Sequence, residues 1–112
     1  MDITFKSKKL EKALSTKKVY REYGPDRAKK IQIRLAALRA AAKLSDFPPK
    51  QPPSRCHELK GNLQGTLSVD LDHPYRLIFK PNHDPIPTKK DGGLDWDRVT
   101  AICILEVKDT HE

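Results

Sequence analysis

The segment RCHELKGNLQGTLSVDLDHPYRLIFK, Arg55 to Lys80, sets His57 and His73 among Arg55, Lys60, Arg76 and Lys80. Imidazole exchanges protons near neutral pH, and a guanidinium offers a planar fork that fits two phosphate oxygens. On one surface, such groups could move protons and hold charge beside a phosphoester. Two alternating apolar runs in the same segment point to a sheet as that surface. Leu67, Val69 and Leu71 alternate with Ser68, Asp70 and Asp72; after Asp-His-Pro, Tyr75, Leu77 and Phe79 alternate with Arg76, Ile78 and Lys80. This pattern predicts an antiparallel hairpin. Successive side chains of a strand point to opposite faces, so Arg76 shares a face with Ile78 and Lys80 and not with Leu77. The same Arg76 is placed to pair with Asp70 or Asp72 across the hairpin, a purely structural role. His73, in the turn, and His83, further on in a loop, read as structural or solvent-facing.

The elements around this hairpin define the fold class. MDITFK alternates through Ile3 and Phe5 and predicts a short opening strand. One helix is expected over SKKLEKALSTKKVYREY, with Ser7 as its cap and Leu10, Ala13 and Leu14 on one face. A longer helix follows Gly24: Pro25 suits a first turn, Asp26 complements the helix dipole, and Pro48 and Pro49 forbid continuation. Ala28, Ile31, Leu35, Leu38 and Ala42 form its apolar stripe, and Arg27, Lys30 and Arg34 a neighbouring basic face that could meet phosphates or simply water. FPPKQPPS should run extended to the hairpin. The loop from Pro81 to Asp97 is too polar for core and is expected to be mobile. RVTAICILEVK, near-continuously apolar and β-branched, reads as a central strand. The result is a single α+β domain over residues 1–112, with two N-terminal helices packed on one face of a small antiparallel or mixed sheet whose other face is half open.

Composition narrows the partners. Twenty-two Lys and Arg against fifteen Asp and Glu give a formal charge of +7, which attracts polyanions, nucleic acid first among them. Two cysteines, without CxxC spacing or a histidine cluster, argue against a zinc site, and no HxxxH or carboxylate cluster suggests metal hydrolysis. Cys103, among isoleucines, is expected to be a buried and inert thiol. No apolar run approaches a membrane span or a signal-peptide core, so the expected location is the cytoplasm, with no membrane partner.

From about Ile31 to His111 the sequence resembles the HigB or killer-protein branch of the RelE/ParE toxin superfamily, the toxins of type II toxin-antitoxin systems. The resemblance is carried by the basic helix and proline linker, by HELKGNLQGTLSVDLDHPYRLIF with its L-K-G and strand-turn-strand order, and by the closing VKDTH. Leu67 stands where this branch usually has Trp, and Thr110 where it usually has Tyr; the 81–97 loop is also longer than the family's turn. The resemblance implies a RelE-like fold and ribosome-dependent mRNA cleavage without metal or cofactor. In that reading His57 and His111 are base and acid in either order, Arg76 stabilises phosphoryl charge, Lys60 assists, and Asp109 orients a histidine or accepts a proton. Arg27, Lys30, Arg34, Arg55 and Lys80 would contact RNA. The implied partners are mRNA, the ribosome, a HigA-like helix-turn-helix antitoxin and, through it, operator DNA. The rival on the same fold is a ParE-like gyrase inhibitor, or a degenerate toxin acting only with its antitoxin.

Overall fold

The computed structural model describes residues 1–47 and 50–110. In chain order the elements are β1 (Asp2–Phe5), α1 (Lys8–Ser15), α2 (Lys18–Tyr23), α3 (Pro25–Ala40), β2 (His57–Glu58), β3 (Leu67–Asp70), β4 (Tyr75–Pro81) and β5 (Ala101–Asp109). The five strands form one mixed sheet in the order β1-β5-β4-β3-β2. β1 runs parallel to β5, and every other pairing is antiparallel. β5 is therefore internal, as its apolar run predicts.

The N-terminal helices differ from expectation in two respects. Ser7 caps α1 as expected, its Oγ accepting from Leu10 N at 3.1 Å. The single first helix, however, breaks at Thr16, whose hydroxyl accepts from Lys18 N at 3.2 Å and so starts α2 as α1 ends. A threonine hydroxyl that bonds to nearby backbone competes with helix continuation. Gly24, at φ 79°, then turns the chain into α3, with Pro25 in its first turn. The long helix ends at Ala40, well short of Pro48. Asp46 takes the freed amides of Ala42 and Lys43 at 2.8 and 3.3 Å, and Leu44 N donates to Val99 O at 2.9 Å, docking buried Leu44. Ala42 consequently lies exposed, outside the stripe, whereas Ala28, Ile31, Leu35 and Leu38 are buried.

That stripe packs with Leu67, Val69, Leu77, Phe79, Ile102 and Ile104 from one face of the sheet in a single core cluster. Each fully buried aliphatic or aromatic side chain contributes about 1.5–3 kcal/mol relative to exposure. Between Ile78 and Phe79 the register with β5 slips by one residue: Ile78 faces Glu106, but Phe79 faces Ile104. The extra residue, Leu105, lets Ile102 and Ile104 point into the core while Glu106 and Lys108 point to the opposite face. That opposite face carries a row of His57, Ser68, Ile78 and Glu106 beside a row of Asp70, Arg76 and Lys108. Ser68 and Ile78 are fully buried there, so the face is open only around them.

The 82–100 connection carries more hydrogen bonds and packing than its polarity suggests. Lys89 N donates to Gly93 O at 2.7 Å, and Gly92 takes the left-handed conformation at φ 90° that this tight turn requires. Leu94 and Trp96 pack against the core. His83 Nε2 accepts from the amides of Thr100 and Ala101 at 3.1 and 3.2 Å, which fixes the proton on Nδ1 and gives this histidine the structural role expected of it. Burial falls on Cys56 more fully than on Cys103. Cys56 is wholly enclosed and its thiol is pushed up to about 12 by burial and by Glu58, which makes it inert, while Cys103 is only half-buried.

Candidate active site

Arg55 and His57 from the run into β2, Asp70 from β3 and Arg76 from β4 meet on the open side of the sheet. β2 is only two residues long, yet the chain before it is pinned: Asp70 N donates to Ser54 O at 2.7 Å and Arg55 N to Gln51 O at 2.8 Å. The proline-containing linker is thus folded against β3. Arg55, at φ 46°, turns its carbonyl towards the next ring but one, and His57 Nδ1 lies 2.9 Å from that oxygen. A carbonyl only accepts, so Nδ1 carries the proton and neutral His57 presents a bare Nε2. That Nε2 is 3.4 Å from Arg76 Nη1.

Arg76 projects from β4, flanked by Asp70, with Nε 3.3 Å from Asp70 Oδ1. The contact is an ion pair without hydrogen-bond alignment. Arg55 Nε approaches the other carboxylate oxygen at 3.6 Å. Of the two structural pairings available to Arg76, the hairpin therefore uses Asp70, while the side chain stays 32% exposed and keeps its Nη edge beside His57. Below the same row, Ser68 Oγ is buried with no hydrogen-bond partner among the described residues.

Arg34 needs correction. It is 8% exposed, not part of a phosphate-facing surface, and its guanidinium donates to Asp70 O at 2.7 Å and Pro53 O at 3.3 Å. Burial holds its pKa below the usual arginine value, and the charge of Asp70 offsets only part of that. One arginine thus staples α3 to the linker and to β3, directly behind the carboxylate that holds Arg76. The helical stripe hid this, because a buried arginine and a solvated one have the same spacing.

Arg27 is also engaged. Its Nε lies 2.9 and 3.2 Å from the two Asp72 oxygens, and its guanidinium stacks 3.5 Å over the Tyr75 ring. Asp109 sits opposite Tyr75 in the register and adds to the field that raises the Arg27 pKa, which places Asp109 on the face away from Arg76. Thr110 closes this corner, its amide and hydroxyl both donating to Pro74 O, at 3.1 and 3.0 Å. His111 lies outside the described residues. Lys30, Lys60 and Lys80 are exposed; Lys80 shares the Arg76 face, and Lys30 lies on α3 within electrostatic reach of Asp72.

Asp72 gives a measurable acid dependence. Burial works against its charge, but the hydrogen bond from Arg27, a backbone amide and the charges of Arg27 and Lys30 outweigh it and hold the carboxyl below its ordinary value. A depressed folded-state pKa stabilises the protein above the unfolded value, about 3.9, and that stability is lost as pH falls through the folded value. Urea midpoints of Asp72→Asn are therefore expected to lie below wild type at neutral pH and to converge on it below about pH 4. A constant gap down to pH 2 would remove this linkage.

On its other side His57 lines a cleft of about 550 Å³ shared with Lys50, Lys60, Lys89 and Trp96. Trp96 and the two flanking lysines of this cleft were not singled out by the sequence; a lone tryptophan in a polar, glycine-containing loop is the signal that marks it. Among the described residues no three His, Cys, Asp or Glu side chains cluster as metal ligands would, and no helix is long and apolar enough to cross a membrane.

Solved structures share this architecture along its whole length. The chain is similar to the YoeB/ParE toxin from Agrobacterium tumefaciens, with 9% identity, a TM-score of 0.57 and coverage of 99% of this chain and 100% of that one. It is similar also to the YoeB dimer and to the toxin of the YoeB-YefM complex, both from Staphylococcus aureus, each at 19% identity with 99% and 98% coverage, and with TM-scores of 0.56 and 0.54. No curated protein sequence matches. A mixed sheet with its helices on one face and this connectivity is thus the YoeB/RelE-like toxin fold. The model of the HigB-like toxins, RelE-like toxins of type II toxin-antitoxin systems, matches residues 3–88, and the chain belongs to that family. The match stops inside the 82–100 connection, before Lys89.

Proposed function

We propose that this toxin is a ribosome-dependent, metal-independent mRNA endoribonuclease. The observation that carries the reading is the unprotonated Nε2 of His57 accepting from Arg76 Nη1 at 3.4 Å on the open face of the sheet, a contact that an incoming 2′-hydroxyl would replace. The reaction is attack by a ribose 2′-oxygen on the adjacent phosphorus. The 2′-proton passes to His57 Nε2, a new O2′–P bond forms, and the P–O5′ bond breaks, leaving a 2′,3′-cyclic phosphate and a 5′-hydroxyl. Arg76 offsets charge on the non-bridging oxygens, worth about 10²–10³ in rate for a well-placed donor. Arg55, Lys60 and Lys80 supply further positive field from the same side. The departing 5′-oxygen needs an acid, the role assigned to His111. Asp109 is a less apt proton acceptor than His57, because it faces Arg27 and Tyr75.

A cytoplasmic toxin of this kind is held off by an antitoxin. The YoeB-YefM complex from Staphylococcus aureus, a neighbour by fold, supports an antitoxin for this chain too. Its helix-turn-helix class and its hold on operator DNA follow from the HigB resemblance. The direct test is translation of a defined message with purified ribosomes, followed by primer extension and end-group analysis. Ribosome-dependent breaks bearing 2′,3′-cyclic phosphate, persisting in chelator-treated toxin, are expected. Intact message together with inhibited gyrase would overturn the nuclease reading in favour of a ParE-like one.

A further inference from the structure

We propose that Trp96 is a nucleobase platform: the wall of the cleft beside His57 on which one base of the bound RNA stacks, next to the phosphate held at Arg76. The inference rests on the ribonuclease reading of the same site and names how its substrate is held.

Three observations carry it. First, His57 is shared: it contacts Arg76 and also lines the cleft that Trp96 lines, so a strand bound at His57 has the indole within the same cleft. Second, the indole is fixed before any ligand arrives. Its Nε1 donates to Glu58 Oε2 at 3.2 Å, its body packs against the core, and the 89–93 turn behind it is hydrogen-bonded. A ring held in place loses little freedom on stacking. Third, the charge pattern suits a phosphodiester chain. Lys50 and Lys60 pair with no acid among the described residues, and Lys89 has only the mostly exposed contact with Asp91 at 3.7 Å. Of the cleft's acids, Asp95 is paired with Arg98 at 2.9 Å, Asp97 has only a mostly exposed contact with Lys43 at 4.0 Å, and Glu58 keeps its charge while accepting from the indole. An aromatic face bordered by exposed lysines is the combination that holds single strands with little dependence on base identity. Because the family match ends at residue 88, this platform belongs to the part of the chain that the family model does not cover.

Trp96 is the protein's one tryptophan, so its own fluorescence reports the contact. The probe is a fluorescein-labelled 2′-O-methyl oligoribonucleotide, which cannot undergo 2′-oxygen attack, read by anisotropy for binding and by indole emission for stacking. Expected are saturable quenching with the anisotropy midpoint, and loss of quenching, with residual binding, when one position of the oligonucleotide is made abasic. Trp96→Leu is expected to weaken binding by about 5- to 150-fold, and Trp96→Phe, which keeps a ring, by less. Circular dichroism melts confirm that both variants are folded. Binding without quenching, and unchanged by Trp96→Leu, overturns the platform and leaves the nuclease reading intact. No binding at all also overturns it. Quenching and abasic sensitivity in a protein whose ribosome assay shows no cleavage would uphold the platform while the nuclease reading fails.

Discussion

Arg76→Ala is expected to reduce ribosome-dependent cleavage about 10²–10³-fold while leaving the fold intact. The loss in rate follows from position. Arg76 projects from a strand internal to the sheet, and Asp70 holds its Nε edge, so the guanidinium is oriented before substrate binds and spends nothing on reorganisation. The small cost in stability follows from exposure. The Arg76–Asp70 pair is partly in water, where such pairs contribute at most about 1 kcal/mol, and Arg55 remains at the second oxygen of Asp70. Arg76→Lys should recover only part of the activity, because an ammonium keeps the charge and loses the fork. Primer extension on a ribosome-bound message measures the rate and urea unfolding the stability. Wild-type cleavage by a folded Arg76→Ala protein would remove the site from consideration.

Arg34→Ala has the largest expected effect on stability, a loss of about 2–4 kcal/mol. The side chain is enclosed between α3, the linker and β3, and its removal strands two carbonyls, Asp70 O and Pro53 O, that have lost their donor. Arg34→Lys should recover little, since one ammonium on a flexible stem does not reproduce the fork that spans both oxygens. Urea denaturation measures the loss. The dependence of RNA binding on salt supplies the contrast: a residue that touches no phosphate leaves the slope of log affinity against log salt unchanged. A shallower slope in a folded Arg34→Gln protein, which lacks the charge, would return this arginine to the RNA-binding surface.

Legibility in the sequence followed the range of the interactions involved. The β3–β4 hairpin was readable because period-two alternation and the Asp-His-Pro turn are local, and the hydrophobic stripe of α3 because period 3.6 is local too. The same alternation placed Arg76 on the face away from Leu77. The break at Thr16 and the early end of α3 were not readable, since each depends on one side chain, Thr16 or Asp46, choosing backbone partners that its neighbours also offer. Arg27 and Arg34 show the limit most clearly: on a helical wheel they share a basic face with Lys30, yet one ends on Asp72 and Tyr75 and the other inside the protein. The deciding partners, Asp72 and Asp70, lie 45 and 36 residues further along the chain. The pairing of His57 with Arg76 was legible only through the family resemblance, because nothing in the segment itself fixes the register of a two-residue strand. The hydrogen bonds of the 82–100 connection to strand ends, through His83, are invisible to composition.

The parallel pairing of Asp2–Phe5 with Ala101–Ile104 has a consequence for biosynthesis. β1 leaves the ribosome long before β5, its strand neighbour among the described residues, exists, and β4 likewise lacks β5 until then. Contacts of such long sequence separation slow folding. A nascent or prematurely terminated chain therefore cannot assemble this sheet, which closes only once synthesis has passed β5.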